Sequence, residues 1–173
     1  MKTKPKIYIK PLSVKDIDHV MSWVNDPEII KNFQNFGRKF TKKEELDYIK
    51  ELIKSKINFA FSVFNENGDY IGQISINQIS WANKLGRLAL IIKKEYWGVG
   101  YAQQAIPLII KFAFRKLRLN KVWLMAYSSN KKGLHVYEKV GFKQEGLLRQ
   151  EYFWKGKYHD MVRMGILKSE FNK

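Results

Sequence analysis

Hydrophobic positions along this chain follow two periods in turn, and each change of period marks a change of element. Ile7-Tyr8-Ile9-Lys10-Pro11-Leu12 alternates with a period of two and predicts a first strand. Ser13 then offers an N-cap to a helix carrying Val14, Ile17, Val20, Met21 and Val24 at helical spacing, with Asp16 in its first turn. Asn25-Asp26-Pro27-Glu28 breaks that helix, and a short second one is expected through Ile29, Ile30 and Phe33. Thr41-Lys42-Lys43-Glu44 spells a capping box ahead of a third helix, with Leu46, Ile49, Leu52 and Ile53 on one face. Two strands follow, Phe59 to Phe64 and Tyr70 to Ile76. The turn Asn65-Glu66-Asn67-Gly68-Asp69 folds them into a hairpin.

The second half alternates strand and helix. Arg87 to Ile92 reads as a strand and Tyr101 to Leu117 as a long apolar helix, with a kink expected at Pro107. Lys121 to Tyr127 is a further strand. Asn130 opens a helix bearing Leu134, Tyr137 and Val140, which Gly141-Phe142 stops. Strands at about Lys143 to Trp154 and Tyr158 to Leu167 close the chain around the turn Lys155-Gly156-Lys157. No linker, repeat or low-complexity tract interrupts the pattern, so residues 1–173 read as one mixed α/β domain.

Chemistry concentrates where the fourth strand meets the long helix, at Lys93-Lys94-Glu95-Tyr96-Trp97-Gly98-Val99-Gly100-Tyr101-Ala102. Two glycines at a strand-to-helix junction let backbone amides approach a ligand unobstructed. The helix start behind them adds unpaired N–H groups and a positive dipole end, which suits a phosphate or pyrophosphate. Alone, Gly-x-Gly also fits a plain tight turn.

Composition narrows the field by exclusion. With no cysteine among 173 residues there is no thiolate nucleophile, no disulfide and no Cys-type zinc site. His19, His135 and His159 lack ligand spacing, so no metal is expected. The longest apolar run, Ala105 to Ile110, is far short of a membrane span, and Met1 to Leu12 has no signal-peptide core. A cytoplasmic protein without a membrane partner is the expectation. The net charge of +16 rests on 26 lysines spread along the chain against six arginines. Genomic A/T bias accounts for such a spread, and steering of an anionic ligand is the alternative.

In this order, the motifs resemble the GNAT superfamily of N-acetyltransferases, in particular the RimJ/RimL-like branch near the spermidine acetyltransferases. The resemblance covers roughly Ile7 to Leu167. It is carried by Trp97-Gly98-Val99-Gly100-Tyr101-Ala102, similar to the family's acetyl-CoA loop, and by Asn130 followed by Val136-Tyr137-Glu138-Lys139-Val140-Gly141-Phe142. The closing Glu145-Gly146-Leu147-Leu148-Arg149, Gly156-Lys157-Tyr158-His159-Asp160 and Met164-Gly165-Ile166-Leu167 complete it. Two positions depart: Trp97 stands where the loop usually begins with Gln or Arg, and Arg87 where spermidine acetyltransferases carry a Glu.

The resemblance implies a mostly antiparallel twisted sheet of six or seven strands flanked by helices, with acetyl-CoA in a V-shaped splay between central strands. It implies acetyl transfer to an amine. Gly98, Val99, Gly100, Tyr101 and Ala102 would hold the pyrophosphate, the backbone of Ile92 and Lys93 would pair with the pantetheine amides, and Asn130 would cap its helix or bind the CoA arm. Tyr137 would act as general acid toward the departing thiolate. Glu28, Glu95 and Asp160 are open choices for a base through water, Asp160 reading better as a hairpin support. Asp26, Glu28, Phe33, Trp81 and Trp154 are candidate acceptor contacts.

Absence of cysteine favours direct attack by the amine. A small-metabolite amine of polyamine or amino-sugar type is the expected acceptor, and the positive charge leans toward an anionic one. Protein N-termini, including ribosomal ones, are the alternative within the family, and a homodimer is possible for either. A non-catalytic nucleic-acid-binding module is the alternative outside it, disfavoured by the lack of an arginine cluster. A P-loop or dinucleotide fingerprint does not fit, because no Lys-Ser/Thr follows the glycines and residue 103 is Gln.

Overall fold

The computed structural model describes residues 6–31 and 38–171, so Phe33 lies outside the described residues. Seven strands form one sheet in the order β1-β2-β3-β4-β5-β7-β6. They are β1 (Ile7–Pro11), β2 (Phe59–Asn65), β3 (Tyr70–Ser80), β4 (Leu85–Ile92), β5 (Lys121–Tyr127), β6 (Lys143–Trp154) and β7 (Lys157–Leu167). Every neighbouring pair is antiparallel except β4 and β5.

That one parallel pair is short. Only Leu85, Gly86 and Arg87 pair with Lys121, Val122 and Trp123, and beyond them the strands part. The cleft predicted between the central strands is therefore present. Its β4 edge is polar by ladder geometry. Lys93 donates its N–H to the Ile71 carbonyl on β3 at 2.9 Å. Antiparallel alternation then turns the N–H and C=O groups of Leu88, Leu90 and Ile92 away from β3, into the cleft.

Each face of the sheet has its own core. On one face α4 (Tyr101–Arg115) buries Ala105, Ile106, Ile109, Ile110, Ala113 and Phe114 against Ile74, Ile76, Leu88, Val122 and Leu124. The apolar stripe of α4 explains its placement, and the helix continues unbroken past Pro107. α5 (Lys131–Lys139) flanks the same core through Leu134, Val136 and Tyr137. On the opposite face, α1 (Ile17–Met21), α2 (Pro27–Ile30) and α3 (Lys42–Lys54) close a second core of Val20, Trp23, Val24, Ile29, Ile49 and Leu52 over Tyr70. There the Trp23 indole donates to the Tyr70 hydroxyl at 3.1 Å.

Several expectations shift on contact with the fold. Ser13 caps a 3₁₀ turn, Val14–Asp16, before α1 begins, and the reciprocal bond from Asp16 completes a capping box. On α3, Ile53 is 49% exposed and Glu45 takes the inward position instead, because only the middle of the predicted stripe meets the sheet. β3 runs on to Ser80, and a final short helix, α6 (Lys168–Phe171), follows β7.

Candidate active site

The glycine junction sits at the mouth of the cleft, where β4 ends. Gly98 and Gly100 adopt φ values of 80° and 97°, a left-handed conformation that side chains disfavour. A Cβ built on either would meet no atom within 4 Å, so the loop presents bare backbone to open space. Gly100 is the N-cap of α4 and supplies no side-chain bond, which leaves the first helical N–H groups unclaimed by a cap. Tyr101 anchors this start by packing edge-on to Tyr96 at 6.0 Å. Exposed amides at a helix start, with room in front of them, are fitted to a diphosphate.

Trp97 takes a role that its type alone did not suggest. Its indole N–H donates to the Ile92 carbonyl at 2.6 Å, tying the loop back to the strand end. One strand-end acceptor is thereby used. Lys93 offers none, since its N–H serves Ile71 and its carbonyl receives Tyr96 at 3.0 Å. The backbone groups of β4 that face the cleft beyond its pairing with β5 are thus the Leu88 carbonyl, both groups of Leu90 and the N–H of Ile92, deeper than the pair expected from the sequence.

On the far side of the cleft, Asn130 caps α5 by accepting from Gly133 N–H at 3.1 Å, while its own N–H donates to the Tyr127 carbonyl. A Cβ at Gly133 would fall 2.7 Å from the Asn130 amide, so this glycine makes the cap possible. The Asn130 Nδ2 donates to no described residue. Tyr137, two turns along, is half-buried against Phe142 at 6.0 Å. Desolvation pushes its phenol up to about 12, so it is protonated throughout the neutral range.

The carboxylates considered as bases are all committed. Glu28 pairs with Lys31 at 2.8 Å, and Lys31 holds its carboxyl below the usual value with a lesser pull from Lys94. Glu95 pairs with Lys93 at 2.6 Å, which lowers it likewise. Asp160 accepts from Gln150 N–H at 2.7 Å, where Gln150 turns through a φ of 53°, so it supports the hairpin. Asp26 is spent as the N-cap of α2, accepting from Glu28 N–H at 2.8 Å.

Of the acceptor candidates, Trp154 reaches the hairpin tip, its carbonyl 3.3 Å from the His159 ring nitrogen. Trp81 lies in the β3–β4 turn at the start of β4, so the length of an eight-residue strand, about 25 Å, separates it from the glycine loop, and it stands at the end where β4 pairs with β5. The residues that the pattern did not single out are on β5. Trp123 and Tyr127 project to the face opposite α4, Trp123 beside Arg87 and Arg163 and Tyr127 beside Tyr152 and His159. Their signal was available as the parity opposite to the buried Val122, Leu124 and Ala126.

A parted parallel pair with a glycine-rich helix start at its mouth defines an acyl-CoA-dependent N-acetyltransferase. The chain belongs to the acetyltransferase (GNAT) domain family, which matches residues 6–143. It is 32% identical to the spermidine N(1)-acetyltransferase of Vibrio cholerae serotype O1 over 132 residues, covering 74% of this chain and 76% of that one. The solved spermidine N-acetyltransferase of Vibrio cholerae in complex with CoA and spermine superposes with a TM-score of 0.91 at 26% identity, covering 96% of this chain and 98% of that one. A dodecameric structure of spermidine N-acetyltransferase from Vibrio cholerae, in an intermediate state, gives 0.83 at 25% identity over 95% of each chain. The chain is accordingly an N-acetyltransferase with acetyl-CoA as donor. Among the described residues no helix is long and apolar enough to cross a membrane.

Proposed function

We propose that this single-domain enzyme passes acetyl directly to the primary amine of a small metabolite, with Tyr137 as general acid. The observation that carries the reading is the placement of one protonated, desolvated phenol on the helix that Asn130 starts beside the cleft. Acetyl-CoA supplies the activated thioester. The amides of Gly98 to Ala102 hold its diphosphate, and the cleft edge of β4 orders its arm toward the point where β4 meets β5. Tyr137 then returns a proton to the leaving sulfur. A phenol at about 12 is a weak donor to a thiol of ordinary pKa ~8.5. A thiolate born in the same apolar surroundings is more basic than in water, which offsets part of that gap.

The three carboxylates weighed as bases, Glu28, Glu95 and Asp160, are each engaged. The amine therefore arrives neutral or loses its proton to water. An amine of pKa near 8 pays ~1–2 kcal/mol for this at pH 7, against ~4–5 for one near 10.4. Polyamines, the acceptors of the related Vibrio enzymes, are the first to try. A cytoplasmic enzyme built as a homodimer or a larger assembly is the matching expectation.

Tyr137→Phe is expected to lower kcat by about a hundredfold or more while calorimetry finds acetyl-CoA bound as before. Full activity in that variant would remove Tyr137 as the acid. Failure of the wild-type protein to bind acetyl-CoA would remove the whole reading.

A further inference from the structure

A concavity of about 960 Å³ opens at the end of α4 remote from the glycine loop. The length of that fifteen-residue helix, about 22 Å, separates the two. Its walls are the last turns of α4 with Lys111, Phe114 and Arg115, the following loop with Arg118, the β3–β4 turn with Lys84, and α6 with Lys168 and Phe171. Backbone bonds fix these segments to one another. Asn120 donates its N–H to the Lys84 carbonyl at 2.6 Å and accepts from Lys168 N–H at 2.9 Å. The Leu119 N–H, bonded to the Ala113 carbonyl at 3.1 Å, holds the Arg118 loop to α4. Phe171 packs edge-on to Phe114 at 5.8 Å and fixes α6 against the helix.

The lining is cationic and holds no acid. Lys84, Lys111, Arg115 and Arg118 make no ion pair and no side-chain hydrogen bond with any described residue. Lys168 has a partner of its own and serves only as a wall. The acid on α6, Glu170, is taken by Lys143 at 2.6 Å and by the Leu167 N–H at 2.9 Å. An ordinary solvated face is built differently: on α3, Lys50 pairs with Asp47 and Lys54 with Glu51. The negative end of the α4 dipole accounts for Arg115 in its last turn. It does not account for Lys84 and Arg118, which are brought in by turns with φ of 51° and 56°. Like charges gathered round one concavity repel, and an anion relieves them. Ammonium and guanidinium groups only donate, so the ligand must bring the lone pairs. Two guanidinium forks match phosphate oxygens, and four cations call for several negative charges in a small volume. The cavity is within the range of roughly 300–1,000 Å³ that holds small molecules, so a compact ligand fits better than a duplex laid across it.

We propose that the cavity between α4, the β3–β4 turn and α6 binds a small oligophosphate, a chain of linked phosphoryl groups, at a site separate from the acetyl-CoA loop. Arg115 and Arg118 take phosphoryl oxygens, and Lys84 and Lys111 neutralise the remaining charge. The site goes beyond the acetyltransferase reading and stands without it. Because the ligand binds groups that only the folded chain brings together, it also stabilises the fold.

The test is calorimetry on the full chain with saturating CoA, so that the glycine loop is occupied, and without divalent metal. The titrants are sodium tripolyphosphate, ATP and inorganic phosphate. Tripolyphosphate or ATP should bind at one site per chain, about a hundredfold or more tighter than inorganic phosphate. Tighter binding of ATP supports the site with a nucleotide as its source, and parity supports it with an inorganic chain. The double variant Arg115→Gln with Arg118→Gln should weaken that binding by about tenfold or more. Its melting temperature without ligand should hold or rise, because a repulsion has been removed. Lys43→Gln with Lys56→Gln removes the same net charge from exposed positions elsewhere and should leave the affinity within about twofold. Lys84→Gln carries the test if the arginine variant does not fold. Absence of binding, equal losses in the control pair, inorganic phosphate binding as tightly as tripolyphosphate, or a single-stranded RNA oligomer binding more tightly than either would each overturn the site. A protein that fails to bind CoA would overturn the acetyltransferase reading instead, and the arginine variant would still decide the cavity.

Discussion

The two sides of β5 are built for different ends. Val122, Leu124 and Ala126 face α4 and are buried in an apolar, fully packed core. Trp123, Met125 and Tyr127, interleaved with them, face a surface that α4 does not cover, where two polar atoms go without partners. One side is packed apolar throughout, and the other keeps two buried polar atoms without partners. A strand at the parting of a sheet can serve both ends because its side chains alternate.

The contrast breaks most clearly at Leu124. It is 2% exposed in the finished core, and Leu124→Ala is expected to cost about 2–5 kcal/mol in a denaturant melt. Tyr127→Phe should do the reverse on the neighbouring side. Removing a buried hydroxyl that has no partner should leave stability unchanged or raise it by about 1 kcal/mol. A destabilised Tyr127→Phe protein would mean that the hydroxyl is satisfied after all, and the two sides would no longer differ.

The smallest effect is one of pH. Burial pushes Tyr127 and Tyr137 up to about 12, whereas the unfolded chain releases these protons near ~10. Between those values the unfolded state binds fewer protons than the folded one, so stability falls as pH rises from about 10 toward 12. Below pH 10 both states are protonated and the contribution is flat. Tyr127→Phe should make the alkaline decline shallower, measured as denaturation midpoint against pH.

Local signals were legible where one residue type has one physical use. Gly98 and Gly100 had to relieve a left-handed turn, Asn130 had to cap a helix, and the Thr41 and Glu44 pair had to close one. The span of β5 could be read because apolar residues run between a charged start and a polar turn. Features set by three-dimensional neighbours were not legible. That Trp81 would stand at the opposite end of β4 from the glycine loop is set by the strand direction, which its sequence context does not show. Ile53 matched the helical stripe, yet it is half exposed while Ile49 and Leu52 are buried. Arg87 could be seen to depart from its relatives, but not that Arg163, distant in sequence, would share an indole with it.

The bond from Trp97 to the Ile92 carbonyl carries one more consequence. It is a latch made from the protein's own groups, so the loop is held to the strand end without help from a ligand side chain, and less affinity is lost to ordering it. It also sets the depth of insertion. With the outermost carbonyl taken, an incoming arm that seeks a backbone acceptor along this edge must reach Leu90, two residues or about 7 Å further in, before it finds one.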